Sequence, residues 1–348
     1  MKSPTLSTKK LTIVLFSLLL LALFGAIALP RMLFPPQPEL TEEAYRELFP
    51  YQSRYVDLDN GTRIHYVDEG EGPTLLLLHG NPTSAFLYRH LIAALKSDYR
   101  VIAPDYPGFG RSEAPAGYGF TPQEQAETMV AFFDRLELDN VVVMVQDWGG
   151  PIGFHLSQQR PERFHGFIIG NTFAWPLEGQ RRYEVFSWIL GGPIGRWING
   201  AHNGAVHFFL KRGIAGSLDR ESYAAYFQPF IHGDRTPVTV FPRELIAASP
   251  FLRTVERGME DLKDYKALIV WGEQDFAFRE PERRRFESYF PDHSVILLPN
   301  ASHYLQEDAP GEIAQAIRQA FPPTNDREWP DLPLRGSTGG RLCPCCER

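Results

Sequence analysis

The sequence predicts an α/β fold: a doubly wound, mostly parallel sheet with a helical cap, preceded by one N-terminal transmembrane helix. Three observations predict it. Short apolar runs bounded by turn residues alternate with helix-length segments, the pattern of βαβ units. Two of the runs, 74–79 and 141–145, read as strands covered on both sides. The alternation stops at about residue 172 and resumes at Ala267, so a helical block interrupts the sheet.

Residues 11–29 are a run of 19 without a charge, preceded by Lys2, Lys9 and Lys10. The run is long enough to cross a bilayer as one helix. The basic flank places the N-terminus in the cytoplasm and the catalytic domain on the non-cytoplasmic side. Ala26-Ile27-Ala28 also resembles a signal-peptidase site, which would release an exported protein. The length of the run favours an uncleaved, single-pass anchor.

Residues 30–38 are a proline-rich linker, and the globular part begins near Glu42. Residues 55–59 and 62–67 alternate in polarity around Asn60-Gly61, a hairpin turn signal. A buried strand over 74–79 leads into Gly80-Asn81-Pro82-Thr83-Ser84, followed by a helix over 85–95 and a strand over 100–104. Thr121-Pro-Gln-Glu124 is a capping box with proline at the first helical position, opening a helix to about Leu136. Further strands are expected over 164–170, 267–272 and 294–298, and helices over 281–290 and 311–321. The core thus covers 42–171 and 260–321, and the cap covers 172–259. The tail, 322–348, is polar, rich in Pro and Gly and expected to be disordered.

Of the 348 residues, 43% are hydrophobic, enough for a substantial core, and the net charge of -7 argues against a nucleic-acid partner. All three cysteines, Cys343, Cys345 and Cys346, lie in the last six residues, so the folded part has no internal disulfide. No His, Cys or carboxylate spacing suggests a metal site, and Gly108-Phe109-Gly110 lacks the third glycine of a dinucleotide fingerprint. No cofactor is expected, and oligomeric state is not legible.

The chemistry centres on residues 140–153, which read as a buried strand, a tight turn and a helix. Asp147 sits on the turn, the place of the nucleophile in a small-x-nucleophile-x-small elbow, with Val145 and Gly149 in the flanking positions. A carboxylate attacking an ester carbonyl would give a mixed anhydride, a poor intermediate. One attacking a saturated carbon gives an ordinary alkyl ester that water can hydrolyse. The expected substrate is a small apolar alkyl compound with an electrophilic carbon.

Other candidates follow predicted strands. His303 comes after the last strand, in the order nucleophile, acid, histidine, and would activate water. Asp275 would orient its imidazole, with Glu273 the nearest competitor. Asn81 lies where oxyanion-hole N–H groups are supplied; its amide and the Trp148 indole are donors able to hold a leaving halide. His79 reads as a packing residue. Trp175, Trp188 and Trp197 are candidates to line a pocket in the cap.

These residues resemble the haloalkane dehalogenases, members of the α/β-hydrolase superfamily. The likeness runs from about Arg54 to Phe321 and rests on His79-Gly-Asn-Pro-Thr-Ser84, Val145-Gln-Asp-Trp-Gly-Gly150 and His303-Tyr-Leu-Gln-Glu-Asp-Ala-Pro310. It implies an α/β-hydrolase fold, a halide pair at Asn81 and Trp148, and cleavage of a carbon–halogen bond through an ester on Asp147. The same constellation is similar to that of β-lactone decarboxylases of olefin biosynthesis. Epoxide hydrolysis is a third reading and needs an acid, for which Tyr183, Tyr223 and Tyr226 are the candidates. A membrane-tethered ligand-binding relative with an idle site is the non-enzymatic alternative.

Overall fold

The computed structural model describes residues 8–324 and 328–329. Eight strands form one sheet: β1 (Arg54–Asp57), β2 (Arg63–Glu69), β3 (Thr74–Leu78), β4 (Arg100–Pro104), β5 (Val141–Asp147), β6 (Phe164–Thr172), β7 (Lys266–Gly272) and β8 (His293–Leu298). Their order is β1-β2-β4-β3-β5-β6-β7-β8. β2 pairs antiparallel with β1 and β4, and all other neighbours are parallel.

This order fixes where a ligand sits. From β3 the chain turns to one side to form β4, then crosses back to place β5 on the other side of β3. The carboxyl ends of β3 and β5 therefore flank a switch point, where loops part and leave a crevice. Both strands are wholly buried, and helices such as Pro122–Arg135 and Gly149–Gln159 cover the sheet. The first of these is opened by Thr121 and Glu124, which exchange hydrogen bonds as a capping box. The strand and helix boundaries fall within a few residues of those read from the sequence. The stretch 85–95 differs: it begins as a 3-10 turn, Ala85–Tyr88, before the α-helix Arg89–Leu95.

Between β6 and β7 the chain forms helices only: Arg181–Gly191, Pro193–His202, Gly204–Gly213, Arg220–Ala225, Gln228–Ile231, Thr236–Ala247 and Ser249–Gly258, with a closing turn at Met259–Leu262. The first two and Thr236–Ala247 pack on one another and lie over the crevice.

Two expectations need correction. The first is the single spanning helix over 11–29. An α-helix covers Thr8–Leu23, a π-helical stretch covers Phe24–Ala28, and a second α-helix covers Leu29–Leu33. The three pieces follow one another without a gap, so the run is a helix interrupted by a widened turn and not one regular α-helix. Among the described residues no helix is long and apolar enough to cross a membrane. Pro30 supplies the physical reason: its nitrogen has no hydrogen to donate and its ring crowds the carbonyl four residues back, so the preceding turn widens.

The second correction concerns the tail, expected to be disordered throughout 322–348. Trp329 is buried: its ring stacks on His165 and lies against Tyr99 and Phe321, and its carbonyl accepts a 2.7 Å bond from Asn140 Nδ2. One large aromatic carries enough apolar surface to dock a segment that is otherwise polar. Residues 325–327 and 330–348, including Cys343, Cys345 and Cys346, lie outside the described residues.

Candidate active site

Asp147 closes β5, and its backbone is left-handed, with φ +50°. That conformation is costly for a residue with a side chain, and the surroundings hold it there. Thr172 Oγ1, at the end of β6, donates to the Asp147 carbonyl. A Cβ on Gly149 would meet the carbonyl oxygen of Leu78 at 2.3 Å, and one on Gly80 would meet Asp147 Cβ at 2.3 Å. Both positions must therefore be bare for the following helix and the β3 loop to close around the elbow. The strained turn aims the carboxylate out of the sheet, and the Asn81 N–H donates to Asp147 Oδ1 at 2.8 Å. The Asn81–Pro82 bond is cis.

His303 stands on the other side of the carboxylate, its Nε2 3.6 Å from Asp147 Oδ2. Its Nδ1 lies 3.0 Å from Asp275 Oδ2. Asp275 is itself fixed, because the Ala277 N–H donates to Oδ1 at 2.7 Å and Asn171 Nδ2 donates to Oδ2 at 2.9 Å. His303 is fully buried, and Asp147 and Asp275 are nearly so. Burial alone would drive the imidazole toward its neutral form. The Asp275 and Asp147 carboxylates overcome it and raise the pKa to about 10. Glu273, the competing acid, is exposed. His79 packs in the wall as a neutral ring, accepting from the Tyr106 N–H at Nε2 and facing the Gly80 carbonyl through Nδ1. Its burial lowers its pKa to about 4.

Asp147, Asn81 and Trp148 border a cavity between the sheet edge and the cap. Phe186, Phe209, Phe241, Phe276, Phe278 and Leu245 make the remainder of its wall largely apolar, and Arg182 and Tyr183 stand at its edge. The site thus joins a buried carboxylate, a histidine–carboxylate pair and two N–H side chains to a greasy pocket, suited to a small apolar electrophile.

None of the three cap tryptophans lines it. Trp175 is buried against Phe286, Tyr289 and Arg285. Trp188 and Trp197 point outward, 75% and 45% exposed. The cavity-facing positions went to phenylalanines instead, because the helical phase of the cap is hard to read where aromatics occur on every face. Two site residues were not singled out. Asn171 is the next-to-last residue of β6 and braces Asp275; a polar residue near the end of a buried strand was its only signal. Gln146 is buried beside the nucleophile and donates from Nε2 to the His303 carbonyl at 3.1 Å, with His303 Nε2 3.2 Å away.

A carboxylate on an elbow between a parallel strand and a helix, with a histidine and an acid beyond it, is the layout of an α/β hydrolase. The family model described as alpha/beta hydrolase fold matches residues 73–310. Haloalkane dehalogenase 2 of Mycobacterium tuberculosis is 41% identical over 296 residues, 83% of this chain and 98% of that protein. The cis-3-alkyl-4-alkyloxetan-2-one decarboxylase of Shewanella oneidensis is 30% identical over 289 residues, 78% of this chain and 88% of the relative. Among solved structures, the haloalkane dehalogenase DbeA from Bradyrhizobium elkani superposes with a TM-score of 0.69 at 26% identity, over 77% of this chain and 96% of that one. The chain belongs to the haloalkane dehalogenase family of the α/β-hydrolase superfamily.

Proposed function

We propose that the protein hydrolyses carbon–halogen bonds of haloalkanes by way of an ester on Asp147. The observation that carries this reading is the placement of His303 between two carboxylates, 3.6 Å from the nucleophile and 3.0 Å from Asp275. In the first step the Asp147 carboxylate attacks the carbon bearing the halogen. The carbon–oxygen bond forms as the carbon–halogen bond breaks, and the halide leaves toward the Asn81 amide and the Trp148 indole. Esterification removes the charge of Asp147. One of the two carboxylates that hold a proton on His303 is then gone, its pKa falls, and Nε2 becomes free to take a proton from water. The hydroxide attacks the ester carbonyl carbon. The Asn81 N–H, already directed at an Asp147 oxygen, is placed to hold the oxyanion. Collapse returns the carboxylate and releases an alcohol, a halide ion and a proton.

The trapping experiment is direct. With His303→Ala and a bromoalkane, intact-mass spectra should show Asp147 carrying the alkyl group, with turnover falling by at least about 10³-fold. An unmodified protein would refute the scheme. Epoxide hydrolysis fits less well. Of the three candidate tyrosines only Tyr183 borders the cavity, and its hydroxyl lies 3.1 Å from Glu282 Oε1 and 3.2 Å from the Ala277 carbonyl. Tyr223 lies against His207, and Tyr226 donates to Glu307. Turnover of 1,2-dibromoethane but not of styrene oxide or a dialkyl β-lactone is the expected result.

The N-terminal helical run is read as membrane-associated. Two features support this: Ile13, Phe16 and Leu18 on Thr8–Leu23 are all more than half exposed, and bases precede the run. Apolar side chains exposed all round a helix need a lipid or protein partner. Protein kept in the pellet after alkaline carbonate washing is the expected result, and release into the supernatant would overturn it.

A further inference from the structure

Outside the N-terminal run, seven large apolar side chains are exposed among the described residues, and five sit on two adjacent cap helices. Val185, Trp188 and Ile189 share one face of Arg181–Gly191, and Ile194 and Trp197 share one face of Pro193–His202. The N-terminal run arrives at this same corner. Leu29–Leu33 packs on Pro193–His202, with Met32 and Leu33 exposed beside it, and the Phe34 ring lies 5.9 Å from His207 of the next cap helix. Arg181 and Arg196 on the two cap helices stand against Glu184, while Arg182 is paired with Glu282, although the whole chain is acidic at -7. Bases and tryptophans around an apolar face match the chemistry of a lipid headgroup region.

The same helix also bounds the cavity. Phe186 lines it, while Ile189, three residues on, is exposed; at 3.6 residues per turn the two lie about 60° apart around the helix. The exposed apolar face therefore runs, within one side chain's width, into the cavity wall. The geometry points to this cap face as a second membrane contact, lying in the headgroup layer of an anionic bilayer so that the cavity draws apolar substrates directly from lipid. The occupant is the bilayer surface: the anchor that would enter it emerges at this corner, and the local charge complements it. The inference rests on the membrane and dehalogenase readings above, and extends them to a substrate class, small haloalkanes apolar enough to dissolve in lipid.

The full chain reconstituted in phosphatidylcholine–phosphatidylglycerol vesicles with brominated acyl chains tests this. Trp188 and Trp197 are two of six tryptophans, and the other four are buried. Wild-type emission should fall by about a third, and that of W188F/W197F by less than about a tenth. In the same vesicles W188D/I194D should turn over lipid-dissolved 1-bromooctane about tenfold more slowly while its rate on aqueous 1,2-dibromoethane is unchanged. Equal quenching of the two proteins overturns the proposal. So does an equal loss on both substrates, or a dimer that W188D/I194D dissociates. Protein that does not pellet with vesicles removes the membrane reading and this one together. Selective quenching without turnover of either bromoalkane leaves the docking standing and refutes the dehalogenase reading.

Discussion

Asn171 shows how a residue that touches no substrate can govern the second half of the reaction. Its amide holds both Asp275 and the end of β7, donating to Asp275 Oδ2 at 2.9 Å and accepting the Gly272 N–H at 2.7 Å. Asn171→Leu leaves a buried carboxylate one donor short and loosens the imidazole it orients. Hydrolysis of the ester should slow by about tenfold, equivalent to roughly 1.4 kcal/mol, and alkylated Asp147 should build up in rapid-quench mass spectra; an unchanged hydrolysis rate would contradict the assignment. His303 makes a separate prediction about pH. Its folded pKa of about 10 lies above the unfolded value of about 6.5, so its pairing with the two carboxylates stabilises the fold fully below about pH 6.5 and is lost as pH rises through about 10. The gap in melting temperature between wild type and His303→Gln should narrow between pH 6.5 and 10. At this scale the sequence was informative where chemistry dictates residue type. Asp147, His303, Asp275, Asn81 and Trp148 occupy ends of strands, and a sheet brings those ends together whatever lies between them. Asn171 and Gln146 were not legible, since their work depends on which neighbour a common amide happens to meet.

Among the elements, the elbow shows how one helix and three strands constrain one another. Gly149 opens the helix Gly149–Gln159 and lies under the β3 carbonyls, so Gly149→Ala forces a methyl group to within 2.3 Å of Leu78 O. Backbone cannot swing aside as a side chain can. The variant should lose about 2–3 kcal/mol in urea unfolding and lower the nucleophile's reactivity by disturbing the angle at which Asp147 leaves the strand; a stability within 0.5 kcal/mol of wild type, roughly the scatter of surface substitutions, would show that the elbow tolerates the methyl. Strands and helices of the core were readable because burial on both faces leaves a run with no polar residue, as in β3 and β5. The cap was readable only as helical. Val185, Trp188, Ile189, Ile194 and Trp197 face out while Phe186, Phe209 and Phe241 face the cavity, and a helix with apolar residues on both sides gives no phase from which to choose. The N-terminal run misled for a different reason: hydropathy counts residues and is blind to the widened turn that Pro30 imposes on the helix.

The whole molecule depends on histidines that are buried in their neutral form, and this sets its tolerance of acid. Burial lowers the pKa of His79, His165 and His207 to about 4, below the unfolded value of about 6.5. Between those two limits the unfolded chain binds more protons than the folded one, so stability falls as pH drops from about 6.5 toward 4. His165 is the one of the three whose environment the tail completes, since the Trp329 ring stacks on it at 5.4 Å between centroids. Trp329 also fills the space beside Tyr99 and Phe321 at the end of the sheet opposite the cavity. Trp329→Ala should therefore cost about 3 kcal/mol at neutral pH through the lost packing. It should also blunt the acid sensitivity, because His165 regains water and its pKa moves back toward its ordinary value. Chemical denaturation of wild type and variant at pH 7 and pH 5 measures both effects. A cost at pH 7 that is carried unchanged to pH 5 would show that the tail packs on the core without shielding His165. A cost that shrinks at pH 5 ties the docked tail to the pH range over which the domain stays folded. The distance of Trp329 from Asp147 and His303 then requires that turnover per folded molecule be unaffected.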